Sequence, residues 1–412
     1  MGSWSAPGWP PASDGLDAAV TSSSLGDRPG PGSEALDASR VGQRDPIGAR
    51  RWTGATDQDL IDLHSAWWQR AATEAIVNDD CGLAQRFRHV PALPDDWLDL
   101  DGDILRPEDV WPDRLQPEPM KLASGSPTRG RATFNTLFPY HRVPWLVGIV
   151  GCGMRISTVS QTVWPVEYLA DDWYSRPGQG FAPRLDWLAK LLDFTAYIVA
   201  RYYPARCIPT LDMISRGPGD LLVAALGVER CYLGFYDHPR ELRSLLGQIT
   251  ELYIHWARVQ LDALPTLAGG YCNQYGLWSP GTTIRTQEDY AVNLSYPIFR
   301  EFLLPSLSTV IDAFDYHVLH THSFGHLAEW ALDLPRLGSI EMTIDPTGPS
   351  IGELIPRLQA IAARKPLIVM GVMTEREVAL VTENVRSGGL MLDVDIVPEG
   401  TAAAEGLFVG PA

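Results

Sequence analysis

The feature that most limits the fold is an alternation of apolar runs and amphipathic segments between about residues 141 and 400. Each short run of Val, Ile and Leu is bounded by Gly, Pro or Asp, as expected of a strand buried on both faces. The predicted strands are WLVGIV (145–150), RCIPTLD (206–212), TLAGGYCNQYG (266–276), YHVLH (316–320), SIEMTI (339–344), PLIVMG (366–371) and LMLDVDI (390–396). Residues 183–203 and 238–264 repeat apolar side chains at helical spacing and carry Pro in the first turn, so both are predicted helices. This alternation predicts parallel strands joined by helical crossovers.

The spacing of the last strands favours one α/β architecture over another. The final four strands follow one another at intervals of about 20–27 residues, which is typical of repeated β–α units. We therefore predict an α/β fold of the (β/α)8 TIM-barrel type, with an open doubly wound sheet as the alternative. No GxGxxG turn opens a helix after a strand and no GxxxxGK[ST] loop occurs, so a nucleotide-binding fold lacks its usual motif.

The composition divides the chain into four segments. Residues 1–50 are rich in Gly, Pro, Ser, Ala and Asp and poor in large aliphatic residues, so we predict a disordered tail. Residues 51–140 contain a helical repeat of apolar residues from Asp57 and then a stretch rich in Pro and Trp. They are predicted to form a helical and irregular extension that packs on the barrel. The barrel is assigned to residues 141–400, and residues 401–412 form a C-terminal tail.

The charge of the chain disfavours several classes of partner. Acidic residues number 50 and basic residues 33, and the formal net charge of −17 repels nucleic acid and anionic lipid surfaces. We find neither an N-terminal signal pattern nor the roughly 18 consecutive apolar residues of a membrane-spanning helix. The five cysteines are scattered without a CxxC pair, which favours reduced thiols. We expect a cytoplasmic protein that acts on a small molecule, has no nucleic-acid or membrane partner and could form a homodimer.

The sequence YHVLHTHSFGH at residues 316–326 contains four histidines and gives the most direct indication of chemistry. His320 and His322 lie two residues apart at the end of a predicted strand, where alternate side chains point the same way. Two imidazoles in this arrangement can bind one metal ion. His317 falls on the opposite face of the strand and is expected to be structural, whereas His326 could support the site from the following helix.

Carboxylates at the ends of neighbouring strands extend this predicted site. Glu341 lies within the otherwise apolar run SIEMTI, and Asp393 and Asp395 alternate on one face of the last strand. In a barrel the C-terminal ends of the strands meet at one rim, so these groups are expected to converge with the histidines. We predict His320, His322 and Glu341 as ligands of a divalent metal, with zinc favoured, and His320, His322, Asp393 and Asp395 as catalytic groups. The alternative is a metal-free pocket in which the histidines are hydrogen-bonded and Glu341 pairs with an arginine.

Two further segments and a single arginine supply candidate substrate-binding residues. The segment that begins GCGMRI at residue 151 includes Arg155, Trp164 and Glu167, and its glycines would permit close approach of a ligand. Arg216 precedes a predicted helix start, which favours binding of an anion. The candidates in GGYCNQYGLW are Cys272, Gln274 and Tyr275. The alternatives are structural: a loop whose tryptophans pack on the body, and an ion pair between Arg216 and Asp220.

From about residue 140 to residue 396 the chain resembles the uroporphyrinogen decarboxylase-like superfamily. This superfamily includes the decarboxylases, corrinoid-linked methyltransferases and, more distantly, cobalamin-independent methionine synthases. The resemblance is carried by RGPGDLLVAALG, by YDHPRELRSLLGQIT, and by YPIFREFLLP followed by a strand and His320. It implies a (β/α)8 barrel whose cleft lies at the C-terminal ends of the strands.

The resemblance also implies roles for particular residues. Zinc methyltransferases of the superfamily place His-x-Cys at the end of the strand that matches VLH; His320 matches the His, and His322 stands where the Cys would be. Glu341 matches a glutamate that the methionine synthases add one strand later. Their final Cys has no counterpart, although Asp393 or Asp395 lies nearby. The Arg-rich segment of the type RQAGRY, which clamps the carboxylates of a tetrapyrrole in true uroporphyrinogen decarboxylases, is missing from residues 51–140.

These differences favour one function and leave two alternatives. His and carboxylate ligands leave a harder ion than thiolates do, which is better suited to polarising an oxygen atom. We therefore expect a metal-assisted methyl or alkyl transferase that acts on a small oxygenated substrate and passes the group to an acceptor such as a separate corrinoid protein. The first alternative is a metal-free carboxy-lyase in which Arg155 or Arg216 holds a carboxylate. The second is a barrel that binds a small molecule without catalysis.

Overall fold

Six parallel strands form the main sheet in the computed structural model, which describes residues 55–78, 93–94, 97, 99–116, 132–159, 162–175, 181–205 and 207–400. In chain order the strands are β1 Ile76–Asn78, β2 Thr136–Leu137, β3 Gly153–Ser157, β4 Thr162–Val166, β5 Ile208–Pro209, β6 Tyr271–Cys272, β7 Trp278–Ser279, β8 Thr283–Gln287, β9 Tyr316–His322, β10 Ser339–Thr343, β11 Leu367–Thr374 and β12 Leu390–Val397. The order in the main sheet is β1-β12-β11-β10-β9-β8. The tails predicted at 1–50 and 401–412 lie outside the described residues.

The register of β8, β9 and β10 decides which side chains meet. Gln287 on β8 pairs with His320 on β9, and His320 pairs with Glu341 on β10. His322 pairs with Thr343 at the end of the same ladder. Paired residues of parallel strands project to the same face, so the polar side chains of these three strands lie together.

Two shorter strands extend the parallel arrangement. β2 pairs in parallel with β5, and a parallel bridge between Arg216 and Gln287 connects the chain after β5 to β8. Eight strands, β1, β2, β5 and β8 to β12, therefore follow one another in the order that a barrel requires. Among the described residues no hydrogen-bonded ladder joins β1 to β2. The fold is thus mixed α/β with a six-stranded parallel sheet, and closure into a barrel stays a prediction.

Helices occupy the connections between these strands. In chain order they are α1 Asp57–Trp68, α2 Pro112–Leu115, α3 Trp145–Val150, α4 Leu185–Tyr202, α5 Pro218–Leu226, α6 Val228–Asp237, α7 Pro239–Asp262, α8 Tyr296–Ile298, α9 Leu304–Asp312, α10 Leu327–Ala331, α11 Ile351–Ala362 and α12 Glu375–Asn384, with a π-helical turn Phe299–Leu303 before α9. Capping boxes at Thr56, Ser350 and Thr374 start α1, α11 and α12. Among the described helices, none has both the length and the apolar character that crossing a bilayer requires.

The apolar core lies directly beside the polar strand ends. One cluster joins α1 to the main sheet and includes Trp67, Ile76, Val318, Ile368 and Met391, each at most 1 % exposed. Val318 comes two residues before the first histidine of the pair on β9, so it points to the same face. The imidazoles therefore project just beyond a packed apolar layer, where lost solvation strengthens any polar contact that they make.

The predicted strands at 316–320, 339–344, 366–371 and 390–396 are confirmed as β9 to β12, but the strand predicted at 145–150 is wrong. WLVGIV forms helix α3, and all six of its residues are buried. A short run that is apolar on every side gives no periodicity by which strand and helix can be distinguished. Gly148 lets the Trp187 ring approach, since an added Cβ would lie 2.8 Å from Trp187 Cγ.

The predicted strand at 266–276 is also wrong, because this segment folds as a hairpin. β6 and β7 pair in antiparallel fashion, and Oδ1 of Asn273 accepts the backbone N–H groups of Tyr275 and Leu277 in the turn between them. Of the strand predicted at 206–212, only the two residues of β5 are in a strand. The helix that begins at Asp57 ends at Trp68. The strands that were not predicted are β1 to β4, β7 and β8.

Candidate metal centre

Three side chains with metal-binding atoms converge at the C-terminal ends of β8 and β9. His320 and His322 alternate on β9, which places both rings on one face. Asp289 follows the end of β8 by two residues, at the start of the 3-10 turn Asp289–Asn293. Because Gln287 on β8 pairs with His320, the chain that leaves β8 carries Asp289 past the two imidazoles.

The three ligand atoms form a nearly equilateral triangle, which we call the ligand triangle. The Nε2 atoms of His320 and His322 are 3.3 Å apart, and Oδ1 of Asp289 lies 3.8 Å and 3.7 Å from them, respectively. The centre of such a triangle is about 2.1 Å from each corner, which is the length of a zinc–nitrogen or zinc–oxygen bond. Within the described ranges, this is the one group of three or more His, Cys, Asp or Glu side chains whose ligand atoms lie within 4.8 Å of one another.

Glu341 orients His320 from the side away from the ligand triangle. Nδ1 of His320 donates a hydrogen bond to Oε2 of Glu341, so Nε2 of the neutral ring keeps its lone pair for a metal. The Tyr275 hydroxyl also donates to Oε2, at 3.0 Å, and the Thr343 hydroxyl donates to Oε1, at 2.8 Å. Burial works against ionisation of Glu341, but His320 and Arg285 outweigh it and hold the pKa of Glu341 below its usual value. Glu341 is therefore a carboxylate.

Asp345 orients His322 in the same way, closer to the surface. Nδ1 of His322 donates to Oδ1 of Asp345 at 2.7 Å, and both the amide and the hydroxyl of Ser323 donate to Oδ2 at 2.8 Å. Burial lowers the pKa of His322, but the carboxylates of Asp289 and Asp345 outweigh this effect and raise it to about 10. The position between these carboxylates therefore attracts positive charge.

Asp289 presents one oxygen to the histidines and anchors itself with the other. Oδ2 accepts a hydrogen bond from Nε2 of Gln287 at 2.6 Å. Oδ1 is buried and has no hydrogen-bond partner in the described part of the chain, although buried carboxylate oxygens normally have one. Burial works against ionisation, but His322, His320 and Arg285 outweigh it and lower the pKa of Asp289. An ionised oxygen that faces two imidazoles is suited to bind a cation.

The structure places the other predicted ligand and the predicted catalytic aspartates outside the ligand triangle. Glu341 lies behind His320, so it is an outer partner of the imidazole and not a third atom of the triangle. Asp393 and Asp395 lie on β12, three strands away from β9. Oδ1 of Asp393 accepts a hydrogen bond from the amide of Asn78 on β1 at 2.6 Å.

The predicted substrate-binding residues of the earlier segment lie on or near the β3–β4 hairpin. Arg155 is exposed on β3 and pairs with Trp164 on β4. Glu167 follows β4 and forms an ion pair with Arg230 of α6 at 3.3 Å. Arg216 is partly buried, and its backbone forms a bridge with β8. Of these four candidates, Arg216 is thus the one whose backbone pairs with a strand of the site.

The candidates Cys272, Gln274 and Tyr275 lie in the β6–β7 hairpin, which precedes β8. Cys272 packs in an apolar cluster with residues of α1 and β5. Gln274 donates to the backbone carbonyl of Asp212 at 2.8 Å. Tyr275 reaches Glu341, so it contacts the outer partner of His320 and not the ligand triangle.

Three charged residues of the site were not predicted: Asp289, Asp345 and Arg285. Two of them come from TTIRTQED, in which all five residues of β8 are buried although four are polar. A strand-like alternation of Thr, Arg and Gln, ended by two acidic residues, was the available signal. Asp345 directly follows the predicted strand 339–344, at the position where site residues were expected.

Two exposed apolar side chains lie in or next to the loop that follows β9. Phe324 is 51 % exposed and stacks on the His322 ring, with centroids 5.4 Å apart. Val292 is 40 % exposed and lies next to Gly325, where an added Cβ would be 3.7 Å from it. A cation site beside exposed apolar surface suits a ligand that joins an apolar group to a polar atom.

Comparisons with known proteins show a likeness of fold. No protein-family model matches the chain. No curated protein matches it either. A solved structure, a methyltransferase from Methanosarcina mazei, is similar with a TM-score of 0.51 and 15% sequence identity, over 84% of this chain and 95% of that one. The chain therefore has a fold similar to that of a methyltransferase.

Proposed function

We propose that this chain is a metal-assisted methyl or alkyl transferase that acts on a small oxygenated substrate. The observation that carries the proposal is the ligand triangle of Asp289, His320 and His322, whose three atoms face one point. Three such atoms this close repel one another unless a positive charge, either a proton on His322 or a metal ion, lies between them. The two outer carboxylates supply the second set of contacts that metal-binding histidines usually have.

The proposed cation is a divalent metal, and the donor set favours zinc. Two imidazole nitrogens and one carboxylate oxygen form a common catalytic zinc set, which leaves a fourth position for substrate. When bound, such an ion polarises an oxygen atom of the substrate. In this proposal Glu341 and Asp345 keep the Nδ1 protons of the two rings in place, so that both Nε2 atoms stay available.

We propose group transfer because both the fold likeness to a methyltransferase and the side chains around the site are compatible with it. The similar solved structure is a methyltransferase, and eight strands of this chain follow the order of a barrel whose closure we propose. Phe324 and Val292 would hold the apolar part of the substrate beside the ion, as a methoxy or alkoxy compound requires. We propose that the acceptor is external, for example a corrinoid protein.

Metal analysis tests the first half of the proposal. Elemental analysis of untagged protein is expected to give one divalent ion per chain. The Asp289→Ala and His320→Ala variants should each lose it, because each removes one of three protein ligands. His326→Ala is the matched control, since His326 is an exposed histidine of the same segment that stacks on Trp330 and lies outside the ligand triangle. Parent protein without stoichiometric metal would refute the metal proposal and favour the carboxy-lyase alternative.

A transfer assay tests the second half. The metal-loaded protein would be incubated with a panel of methoxylated small molecules and a reduced corrinoid acceptor, and methylation of the acceptor followed by absorbance. We expect turnover that disappears in His320→Ala and persists in His326→Ala. Metal-loaded protein that methylates no acceptor but releases CO2 from carboxylated analogues would contradict group transfer.

A further inference from the structure

Arg285 is a buried cation on β8 that the proposed chemistry does not yet use. Its residue is 4 % exposed, and its side chain makes two hydrogen bonds. Nε donates to the Tyr275 hydroxyl at 3.0 Å, and Nη1 donates to Oε1 of Gln287 at 2.7 Å. A guanidinium buried this deeply is costly unless its neighbours accept its protons. Both neighbours lead to atoms of the metal site.

Two chains of hydrogen bonds, which we call arms, start at Arg285. The first arm runs to His320. A guanidinium can only donate, so the Tyr275 oxygen must accept from it, and the single phenolic proton is left for Oε2 of Glu341 at 3.0 Å. Glu341 in turn accepts from Nδ1 of His320. Each hydrogen bond between Arg285 and the imidazole therefore has one fixed donor and one fixed acceptor, with the guanidinium at one end and the carboxylate of Glu341 beside the ring.

The second arm runs from Arg285 to Asp289. Gln287 has one acceptor and one donor end, and the guanidinium occupies the acceptor end. The amide of Gln287 must then turn its donor end outward, where Nε2 reaches Oδ2 of Asp289 at 2.6 Å. That contact leaves Oδ1 as the oxygen that faces the histidines.

We infer that Arg285 is the positioning residue of the metal centre. Through two arms of fixed polarity it holds two of the three ligand atoms toward one point, Nε2 of His320 and Oδ1 of Asp289. His322 is held separately, because Asp345 and Ser323 fix it from the loop after β9. The inference rests on the metal-binding role proposed above. It adds that Arg285 positions two of the three ligand atoms, whereas Asp345 and Ser323 position the third, on His322.

The direct test is histidine NMR on metal-free protein. Long-range 1H–15N spectra would be recorded for the parent, Arg285→Met, Tyr275→Phe and Ser323→Ala. Arg285→Met and Tyr275→Phe are both expected to shift the ring nitrogens of His320 and to speed exchange of its Nδ1 proton. In Tyr275→Phe, which interrupts only the connection to His320, the ring of His322 should stay unchanged. Ser323→Ala should give the reverse pattern. Equal effects of Tyr275→Phe on the two rings, or an unchanged His320 in Tyr275→Phe, would overturn the inference.

Cobalt binding gives the second readout. In Co2+ titrations we expect about 10–100-fold weaker binding by Arg285→Met than by the parent, with a changed visible spectrum, as is usual when an outer partner is lost. Tyr275→Phe should weaken binding less, because it removes only the hydroxyl of the first arm and leaves the second arm, through Gln287, in place. Wild-type affinity and spectrum in Arg285→Met would contradict the inference. If the parent itself binds no Co2+, the metal proposal fails, and the metal-free NMR comparison still decides the role of Arg285.

Discussion

Glu341 and Asp212 are two buried carboxyl groups near the same guanidinium, yet the chain surrounds them differently. Both are at most 1 % exposed, and the charge of Arg285 favours the ionised form of each by lowering its pKa. Glu341 accepts three hydrogen bonds, from Tyr275, Thr343 and His320. Among the described residues, neither oxygen of the Asp212 carboxyl accepts a hydrogen bond of good geometry, and the donors that act on it are the backbone N–H groups of Ile214 and Met213.

The surroundings of Asp212 fix its backbone and leave its side chain poorly paired. Gln274 and Ser215 both donate to the Asp212 carbonyl, at 2.8 Å each. Burial raises the pKa of Asp212 to about 7, although nearby backbone N–H groups and Arg285 oppose the shift. The pKa of Glu341 is lowered in the same interior. The comparison teaches that hydrogen-bond partners, and not depth alone, decide which buried carboxyl is charged.

The largest expected effect is the loss of the paired charge. Glu341→Gln removes the carboxylate that His320, Tyr275 and Arg285 surround, and breaking a buried charge pair costs about 3–5 kcal/mol. We expect a loss of unfolding free energy of this size in urea titrations. The control is Glu251→Gln, an exposed site on α7, which should change stability by less than about 0.5 kcal/mol. Equal stabilities of the two variants would show that Glu341 is not ionised.

The second prediction concerns pH and the poorly paired carboxyl. The folded-state pKa of Asp212 is raised from 3.8 to about 7, so the folded protein keeps a proton that the unfolded chain releases between these values. Relative to Asp212→Asn, the parent should therefore lose stability as pH rises from about 4 to about 7, by up to about 4 kcal/mol, and stay lower above pH 7.

Urea titrations of chelator-treated protein at pH 5 and pH 8 would measure this difference. Asp212→Asn should gain stability over the parent at pH 8 and much less at pH 5. Asp172→Asn serves as the exposed control and should track the parent at both pH values. A constant offset between Asp212→Asn and the parent would mean that Asp212 is as well paired as Glu341, which would remove the contrast.

The smallest expected effect is the loss of one neutral donor. Thr343→Val keeps the shape of the side chain and removes the hydroxyl that donates to Oε1 of Glu341. A hydrogen bond to a charged group is worth about 1.5–3 kcal/mol, and two other donors remain, so we expect about 1–2 kcal/mol in the same titrations. Thr309→Val, an exposed threonine on α9, should be near neutral. A cost as large as that of Glu341→Gln would mean that Thr343 alone keeps Glu341 ionised.

Half of the fold could be predicted from the sequence for a clear physical reason. β9 to β12 are largely buried and read as mostly apolar runs between turn residues, and the register of β9 and β10 brings His320 beside Glu341. β8 has no such run, because its interior side chains include Arg285 and Gln287. Arg285 and Gln287 are tolerated in the core through hydrogen bonds to each other and to Tyr275 and Asp289, which composition does not reveal.

The same difference separates the predicted from the unpredicted part of the site. The alternation of His320 and His322 is local, so the sequence suffices to put both rings on one face. Asp289 reaches them only because β8 pairs with β9, and Gln287 is register-matched to His320. Glu341 was expected as a ligand because it lies one strand away, but the ring of His320 can bind it through Nδ1 and turn Nε2 elsewhere.

The most direct test of the ligand triangle is anomalous X-ray diffraction from crystals soaked in zinc, with data on both sides of the zinc edge. We expect one strong anomalous peak about 2.1 Å from Nε2 of His320, Nε2 of His322 and Oδ1 of Asp289. A peak bound by Glu341 in place of Asp289, or a zinc-soaked crystal without a peak at this point, would contradict the proposed metal centre.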